Sequence, residues 1–177
     1  MSGWRHLSSQ GTSERRASEY LRSPTRHWRT SVTVSVLSEA AMNQSRVLDV
    51  VAAVIEREGM VLACRRRPEK AAGGKWEFPG GKIERDETSE EALVREIQEE
   101  LETEIEITGR LRTDETQVGD TVIRLACFRA RLLEAAPTRS SDHDEIRWVR
   151  LADLPALDWA APDLPAVAEL SRATPSQ

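Results

Sequence analysis

Hydrophobic and polar positions form short, regular blocks from residue 47 onward, and these blocks predict a series of strands and helices. Residues 47–55 and 60–65 are apolar and rich in β-branched side chains, and the polar turn at residues 56–59 between them predicts a hairpin. A short strand follows at residues 76–78. The next long periodic segment predicts a helix over residues 89–101.

The helix start and the remaining apolar runs complete the predicted fold. Thr88 and Glu91 have the spacing of a capping box, which starts the helix directly after Thr88. Further strands are predicted at residues 104–111, 121–133 and 146–151. A final helix, from Pro162 or Asp163 to about Arg172, is indicated by apolar residues at helical spacing: Leu164, Val167 and Leu170. This order of elements predicts an α/β (α+β) fold with a mixed central sheet.

The first 45 residues differ from the rest in composition. They are rich in Ser, Thr and Arg and lack hydrophobic periodicity, so residues 1–45 are predicted to be a disordered tail and residues 46–173 the folded domain. One interpretation of the tail is an organellar presequence. The alternative, which we favour, is a wrongly assigned translation start, with Met42 opening the lead into the first strand.

Charge and cysteine content exclude several classes of function. Seven arginines and three glutamates give residues 1–46 a charge of +4, which leaves −9 for residues 47–177. An acidic domain argues against a nucleic-acid polymer as partner, and no apolar stretch is long enough to span a membrane. Cys64 and Cys127 stand alone in apolar runs, which fits a reducing compartment, and we expect a cytoplasmic location.

Three glutamates of the predicted helix share one face. Glu96, Glu99 and Glu100 stand at positions i, i+3 and i+4, and their repulsion costs a few tenths of a kcal/mol per pair. Helix composition alone favours a solvated acidic surface. The preceding segment changes this interpretation, because Gly80 and Gly81 directly follow a strand, where glycine allows a ligand to approach the backbone.

Residues 81–103 read G-x5-E-x7-R-E-I-x-E-E-L-E-T, which closely resembles the Nudix signature. The pattern departs from that signature only at its end, where Glu102 replaces a glycine and Thr103 replaces an aliphatic residue. The resemblance extends from about Val47 to Leu170 and is closest to the MutT and CTP pyrophosphohydrolase branch. It implies the Nudix fold, with a mixed central β-sheet sandwiched between helices.

The resemblance also implies an activity. Enzymes of this branch use Mg²⁺, with Mn²⁺ as a substitute, to hydrolyse a nucleoside triphosphate to a nucleoside monophosphate and pyrophosphate, with water attacking the β-phosphorus. The expected substrate is a small nucleotide, 8-oxo-dGTP or (d)CTP, and the expected assembly is a monomer or homodimer. Hydrolysis of 8-oxo-dGTP would remove a damaged nucleotide from the pool.

The same resemblance assigns expected roles to individual residues. The metal ligands would be the carbonyl of Gly80 and the carboxylates of Glu96, Glu99 and Glu100. Glu99 and Asp142 compete for the role of general base. Four residues are placed on the substrate side: Arg66 at the phosphates, Phe78 at the base, and Lys82 and Asp163. Structural support is expected from Gly81 and from an ion pair between Glu87 and Arg95.

Several of these residues also have an ordinary structural interpretation. Asp163 could be a helix N-cap, whereas a base-reading carboxylate there would disfavour UTP and dTTP. Phe78 could be core, Trp148 is interpreted as packing, and His143 as a solvated loop residue.

Two other functions compete with the proposed reaction. Hydrolases of ADP-ribose, diadenosine polyphosphates or nucleotide sugars usually have a proline or tyrosine fifteen to eighteen residues beyond the signature, where this chain has residues 118–121. Nucleotide-sensing modules without catalysis tend to lose the glutamates and carry an added DNA-binding domain, and neither feature is present.

Overall fold

The computed structural model describes residues 46–172. The predictions for the tail, for Met42 and for residue 173 lie outside the described residues. Seven strands and two α-helices are present within this range, in the order β1 (Arg46–Arg57), β2 (Met60–Arg66), β3 (Trp76–Glu77), β4 (Gly80–Lys82), α1 (Ser89–Leu101), β5 (Ile105–Val118), β6 (Thr121–Leu132), β7 (His143–Arg150) and α2 (Leu164–Arg172). Short 3-10 helices at Leu151–Ala156 and Ala161–Asp163 precede α2.

The predicted hairpin of β1 and β2 is confirmed only at its tip. The two strands pair at Glu56 with Val61 and at Arg57 with Met60, and then separate. Along most of its length β1 pairs in parallel with β6, whereas β2 pairs antiparallel with β7. The main strand order is β3-β2-β1-β6-β5, with β4 attached to β1 and β7 to β2. Where β2 has separated from β1, β4 pairs with β1 at residues 50–52.

Alternate side chains of β1 face two different hydrophobic clusters. Val51, Ala53 and Ile55 pack with the apolar face of α1, and Ala52 and Val54 belong to the cluster that includes α2. Because successive side chains of a strand point to opposite faces, a continuous apolar run indicates a strand covered on both sides. The mixed sheet therefore lies between the two helices, as the resemblance implied.

Several predicted elements differ from the structure in detail: for example, β7 starts at His143 and not at residue 146, and residues 80–82 form the strand β4. The strand predicted to end at residue 111 continues to Val118, because its polar second half pairs with β6 as far as the turn at Gly119. In α2, Leu164 is exposed, and the buried side chains are those of Ala166, Val167 and Leu170. Pairing with a neighbouring strand, rather than hydrophobicity, sets the length of β5.

The state of the two cysteines and the length of the helices can be compared with the expectations from the sequence. Cys64 and Cys127 are both buried free thiols, as the sequence predicted. None of the helices between residues 46 and 172 is long and apolar enough to cross a membrane.

Candidate active site

The start of α1 is fixed by the predicted capping box. The Thr88 hydroxyl accepts a hydrogen bond from the Glu91 backbone N–H at 3.2 Å, and the Glu91 carboxylate accepts one from the Thr88 N–H at 2.8 Å. Both contacts satisfy N–H groups that a helix terminus otherwise leaves free. With the first turn fixed, Glu96 and Glu100, two to three turns later, are oriented toward β4.

The glycines of β4 allow α1 to lie close to the sheet. Gly80 and Gly81 pair with Ala52 and Val51 of β1. A Cβ atom on Gly80 would stand 2.1 Å from the Val51 carbonyl oxygen, and one on Gly81 would stand 2.3 Å from the carboxyl carbon of Glu96. Any side chain at these positions would therefore displace the strand or the carboxylate.

Arg95 connects the helix to the loop before it. Its guanidinium donates to both carboxylate oxygens of Glu87, at 2.7 and 3.1 Å, to Glu96 at 3.0 Å and to the Lys82 carbonyl at 3.0 Å. The hydrogen bonds from Arg95 and from the Glu84 N–H lower the pKa of Glu87. The ion pair expected between Glu87 and Arg95 is present, and it holds Glu96 against Gly81.

Glu100 is a buried carboxyl group at the centre of the predicted metal site. Its side chain lies beside Gly80, whose N–H donates to it at 3.3 Å. Burial, followed by the nearby carboxylates of Glu77, Asp142 and Glu96, raises the pKa of Glu100 to about 8 in spite of that hydrogen bond, which lowers it. Negative charge is therefore concentrated here beyond what the surrounding groups neutralise.

Glu99 differs from Glu100 in exposure. Its side chain is 62% exposed and contacts Arg95 at 3.5 Å. Glu99 and Glu100 line a cleft of about 180 Å³, together with Glu102, Arg139, Ser140 and Ser141. A larger open groove, of about 810 Å³, lies between α1 and β5 and includes only Arg95 of the predicted site residues. The acidic chemistry lies in the smaller cleft, at the end of α1.

The loop before β7 lines this cleft with Ser140 and Ser141 and brings the next residue, Asp142, near Glu100. The Ser141 N–H donates to the Glu100 carbonyl at 3.1 Å, which attaches the loop to the end of α1. Burial alone would raise the pKa of Asp142, but the Lys70 ammonium, 3.0 Å away, outweighs it and the pKa is lowered. Asp142 is thus an ionised acid close enough to affect Glu100.

Arg66 is linked by hydrogen bonds to Glu77 and, through it, to His143, and neither was among the site residues predicted from the sequence. Its guanidinium donates to Glu77 at 2.6 Å, and the same Glu77 oxygen lies 2.8 Å from Nε2 of His143. His143 is buried, so its interpretation as a solvated loop residue is wrong. The register of β7 against β2 places it opposite Arg66. One sequence signal for Glu77 exists: it lies between two aromatic residues of a strand, on the opposite face from both.

A second group of predicted residues lies on the other side of β3. Phe78 is buried, its ring centroid lies 4.7 Å from that of Trp159, and its N–H donates to Asp163 at 3.0 Å. Burial raises the pKa of Asp163 to about 8. Within residues 46–172 the carboxyl of Asp163 is bonded to Phe78 rather than to the first turn of α2, so the N-cap interpretation is not what the structure shows.

The predicted residues thus fall into three sets. The structure brings together Gly80, Gly81, Glu87, Arg95, Glu96, Glu100 and Asp142 along α1 and β4, and Phe78 with Asp163 on the far side of β3. Arg66 joins the first set through Glu77. Glu99 and Lys82 are exposed, and no contact of the Lys82 ammonium within residues 46–172 links it to the acidic cleft.

The donor chemistry of the acidic cleft fits a hard divalent cation. Between residues 46 and 172, no three acidic, histidine or cysteine side chains converge closely enough to enclose a metal ion. However, the available donors are carboxylate and carbonyl oxygens, and the buried Glu100 lacks full charge compensation. Such oxygen donors are those that Mg²⁺ prefers, and Mg²⁺ commonly binds through one or two carboxylates with waters and phosphate.

The chain is similar to a family model and to several known proteins. The NUDIX domain model matches residues 46–170. A Mycobacterium tuberculosis protein provisionally named 8-oxo-dGTP diphosphatase 2 is 39% identical over 127 residues, covering 70% of this chain and 87% of its own. The CTP pyrophosphohydrolase of Escherichia coli is 31% identical over 120 residues, covering 68% and 88%. The crystal structure of a MutT NUDIX hydrolase from Burkholderia pseudomallei has a TM-score of 0.64 at 25% identity, covering 70% and 97%.

Proposed function

Because the chain belongs to the Nudix hydrolase family, we propose that it is a magnesium-dependent nucleoside triphosphate pyrophosphohydrolase. The reaction would convert a nucleoside triphosphate and water into a nucleoside monophosphate and pyrophosphate. The relatives named as an 8-oxo-dGTP diphosphatase and a CTP pyrophosphohydrolase support 8-oxo-dGTP or (d)CTP as substrate.

One observation carries the proposal more than any other. Glu100 is buried beside the glycines of β4, among other carboxylates, and its pKa is raised to about 8. A purely structural role would be better served by a neutral side chain, since burying an uncompensated acid destabilises a fold. An arrangement of this kind is typical of a site that gains its missing positive charge from a ligand.

The ion would be held by the Gly80 carbonyl and by Glu96, Glu99 and Glu100. When bound, Mg²⁺ neutralises phosphate charge and makes a water molecule more acidic. Glu99 is the proposed base because, of the three signature glutamates Glu96, Glu99 and Glu100, it is the exposed one at the cleft, and Asp142 is the competing group. The ion pair of Arg95 with Glu87 would keep Glu96 in position.

On the substrate side, Arg66 would bind phosphate oxygens, with Lys82 as an additional cation. Arginine is suited to this role because its planar guanidinium can keep one hydrogen bond to Glu77 while it directs other N–H groups toward a phosphate. Phe78 would support the base, and Asp163 would read its hydrogen-bonding edge.

The raised pKa of Asp163 changes the expected base preference. At pH 7 a carboxyl group with a pKa of about 8 is mainly protonated, so it both donates and accepts hydrogen bonds. The exclusion of uracil and thymine, which was expected for an ionised carboxylate, does not follow for the protonated form. Discrimination against UTP and dTTP is therefore expected to appear only as the pH rises above about 8.

A substrate panel in H₂¹⁸O tests the proposal. With Mg²⁺ present, 8-oxo-dGTP or (d)CTP should give a monophosphate and pyrophosphate, and ¹⁸O should appear in pyrophosphate if water attacks the β-phosphorus. The control is the same panel with chelator in place of Mg²⁺. Cleavage of ADP-ribose or a nucleotide sugar with no triphosphate hydrolysed would overturn the assignment in favour of the other Nudix class.

A further inference from the structure

Four polar side chains form a continuous hydrogen-bonded chain behind the acidic cleft. Ser140 Oγ lies 2.9 Å from Nδ1 of His143, and Nε2 of His143 lies 2.8 Å from Oε1 of Glu77. The same Glu77 oxygen accepts from Nη1 of Arg66 at 2.6 Å. The His143 side chain is fully buried, so each of its ring nitrogens depends on these protein partners.

The hydrogen bonds that Ser140 accepts determine which atom is the donor in each of the other hydrogen bonds. Its hydroxyl oxygen accepts from the backbone N–H groups of Asp142 and His143, both at 3.2 Å. A hydroxyl oxygen has two lone pairs, so the remaining function of Ser140 is to donate its own proton to Nδ1 of His143. In the neutral imidazole the proton is then on Nε2, which donates to Glu77.

We propose that Ser140, His143 and Glu77 are positioning residues that hold Arg66 and the Asp142 loop in fixed positions relative to each other. At one end of the hydrogen-bonded series, Glu77 holds the Arg66 guanidinium, which is expected at the phosphates. At the other end, Ser140 holds the backbone of Asp142, next to the contact of Ser141 with the Glu100 carbonyl. The catalytic part of this inference rests on the proposed function, since it assumes that Arg66 and Asp142 act in the reaction.

A histidine that only filled core volume would not require this pattern. A buried apolar side chain of similar size would pack equally well, whereas here both ring nitrogens of His143 have a matched partner. The hydrogen bonds also link segments far apart in sequence, since Glu77 and His143 are separated by 66 positions. The distinguishing property is therefore one fixed tautomer, with hydrogen on Nε2, rather than burial itself.

The kinetic test compares variants that keep or remove single links. Ser140→Ala removes the hydroxyl, His143→Leu removes both ring nitrogens, and His143→Gln keeps a donor for Glu77. We expect the first two to lower kcat/KM by about tenfold to a hundredfold, because a displacement near 1 Å has effects of this size. His143→Gln should recover most of the loss. Thr138→Ala, an exposed hydroxyl deletion two residues from Ser140, is the matched control and should stay within about twofold of wild type.

A spectroscopic test requires neither metal nor substrate. The chain has three histidines, so ¹⁵N-labelled His143 can be assigned by comparison with His143→Gln. Long-range ¹H–¹⁵N spectra should show the proton on Nε2 in the wild type and a mixture of tautomers in Ser140→Ala. Equal loss of activity in His143→Gln and His143→Leu, or a proton on Nδ1 in the wild type, would refute the positioning role.

The two tests separate this inference from the proposed function. Failure of the wild type to release pyrophosphate from any triphosphate would overturn the function, and the tautomer measurement would still decide the geometry. Thermal unfolding of each variant identifies those whose lower activity results from loss of the fold.

Discussion

The substitution Asp163→Asn should change how the stability of the protein depends on pH. Asparagine has nearly the same shape, and its side-chain oxygen can still accept the hydrogen bond from the Phe78 N–H. The substitution removes only the ionisable group. Because Asp163 is buried and its pKa is raised from 3.8 to about 8, the folded state favours its neutral form.

The sign follows from proton linkage. In the unfolded chain Asp163 ionises near pH 4, whereas in the folded protein it stays protonated up to about pH 8. Between these values the folded state holds one more proton, so its contribution to stability is complete below about pH 4 and is lost as the pH rises to 8. At about 1.4 kcal/mol per pKa unit, the upper limit of this loss is about 6 kcal/mol. That is a large part of a typical unfolding free energy of about 5–15 kcal/mol.

The assay is urea unfolding of wild type and Asp163→Asn at pH 5, 6, 7 and 8, followed by tryptophan fluorescence. The free-energy advantage of the variant should grow by about 1 kcal/mol per pH unit, and other titrating groups cancel in the difference. Asp120→Asn, the same change in the exposed β5–β6 turn, is the control and should show no such growth. A difference for Asp163→Asn that stays constant from pH 5 to 8 would refute the assignment of a buried, neutral Asp163.

Four further predictions address the signature and the tail. Glu99→Gln and Glu100→Gln should each lower kcat at least about a hundredfold with Mg²⁺. The metal-free unfolding temperature of Glu100→Gln should be unchanged or higher. Near-normal turnover in both variants would exclude the metal site. Glu102→Gly should raise the urea-unfolding free energy by about 1 kcal/mol, because Glu102 has a left-handed conformation that glycine adopts without strain. Thr103→Val should also stabilise by about 1 kcal/mol in the same measurement, since the buried Thr103 hydroxyl has no hydrogen-bond partner within residues 46–172. Deletion of residues 1–41 should leave kcat and the unfolding temperature unchanged, because that segment lacks the hydrophobic periodicity of a packed element; a fall in either would show that the segment contributes to the enzyme.

Elements determined by local chemistry could be predicted closely from the sequence. The helix over residues 89–101 has the predicted bounds, because Thr88 and Glu91 define its start within a single turn and the apolar spacing defines its buried face. The Glu87–Arg95 ion pair could also be predicted, since it joins two residues of one short loop–helix unit.

Features that depend on pairing between distant segments could not be predicted in this way. The continuation of β5 to Val118 requires β6 beside it, and the separation of β1 from β2 requires two different partner strands. The burial of His143 has the same origin. Its neighbours in sequence are acidic and polar, so local composition indicates a loop, but pairing of β7 with β2 turns its side chain inward. The hydrogen bond from Phe78 to Asp163 likewise spans 85 positions.

The short segment from Glu77 to Gly80 determines the distance between the two halves of the site. Its consecutive groups contact different regions: the Glu77 carboxylate faces the Arg66 side, the Phe78 N–H faces Asp163, and the Gly80 N–H faces Glu100. Because β4 is paired with β1 and β3 with β2, neither end of the segment can shift without breaking a sheet. The spacing between Asp163 and the acidic cleft is therefore set by backbone geometry, and under the proposed function a changed side chain at the base end would leave the groups expected at the phosphates in place.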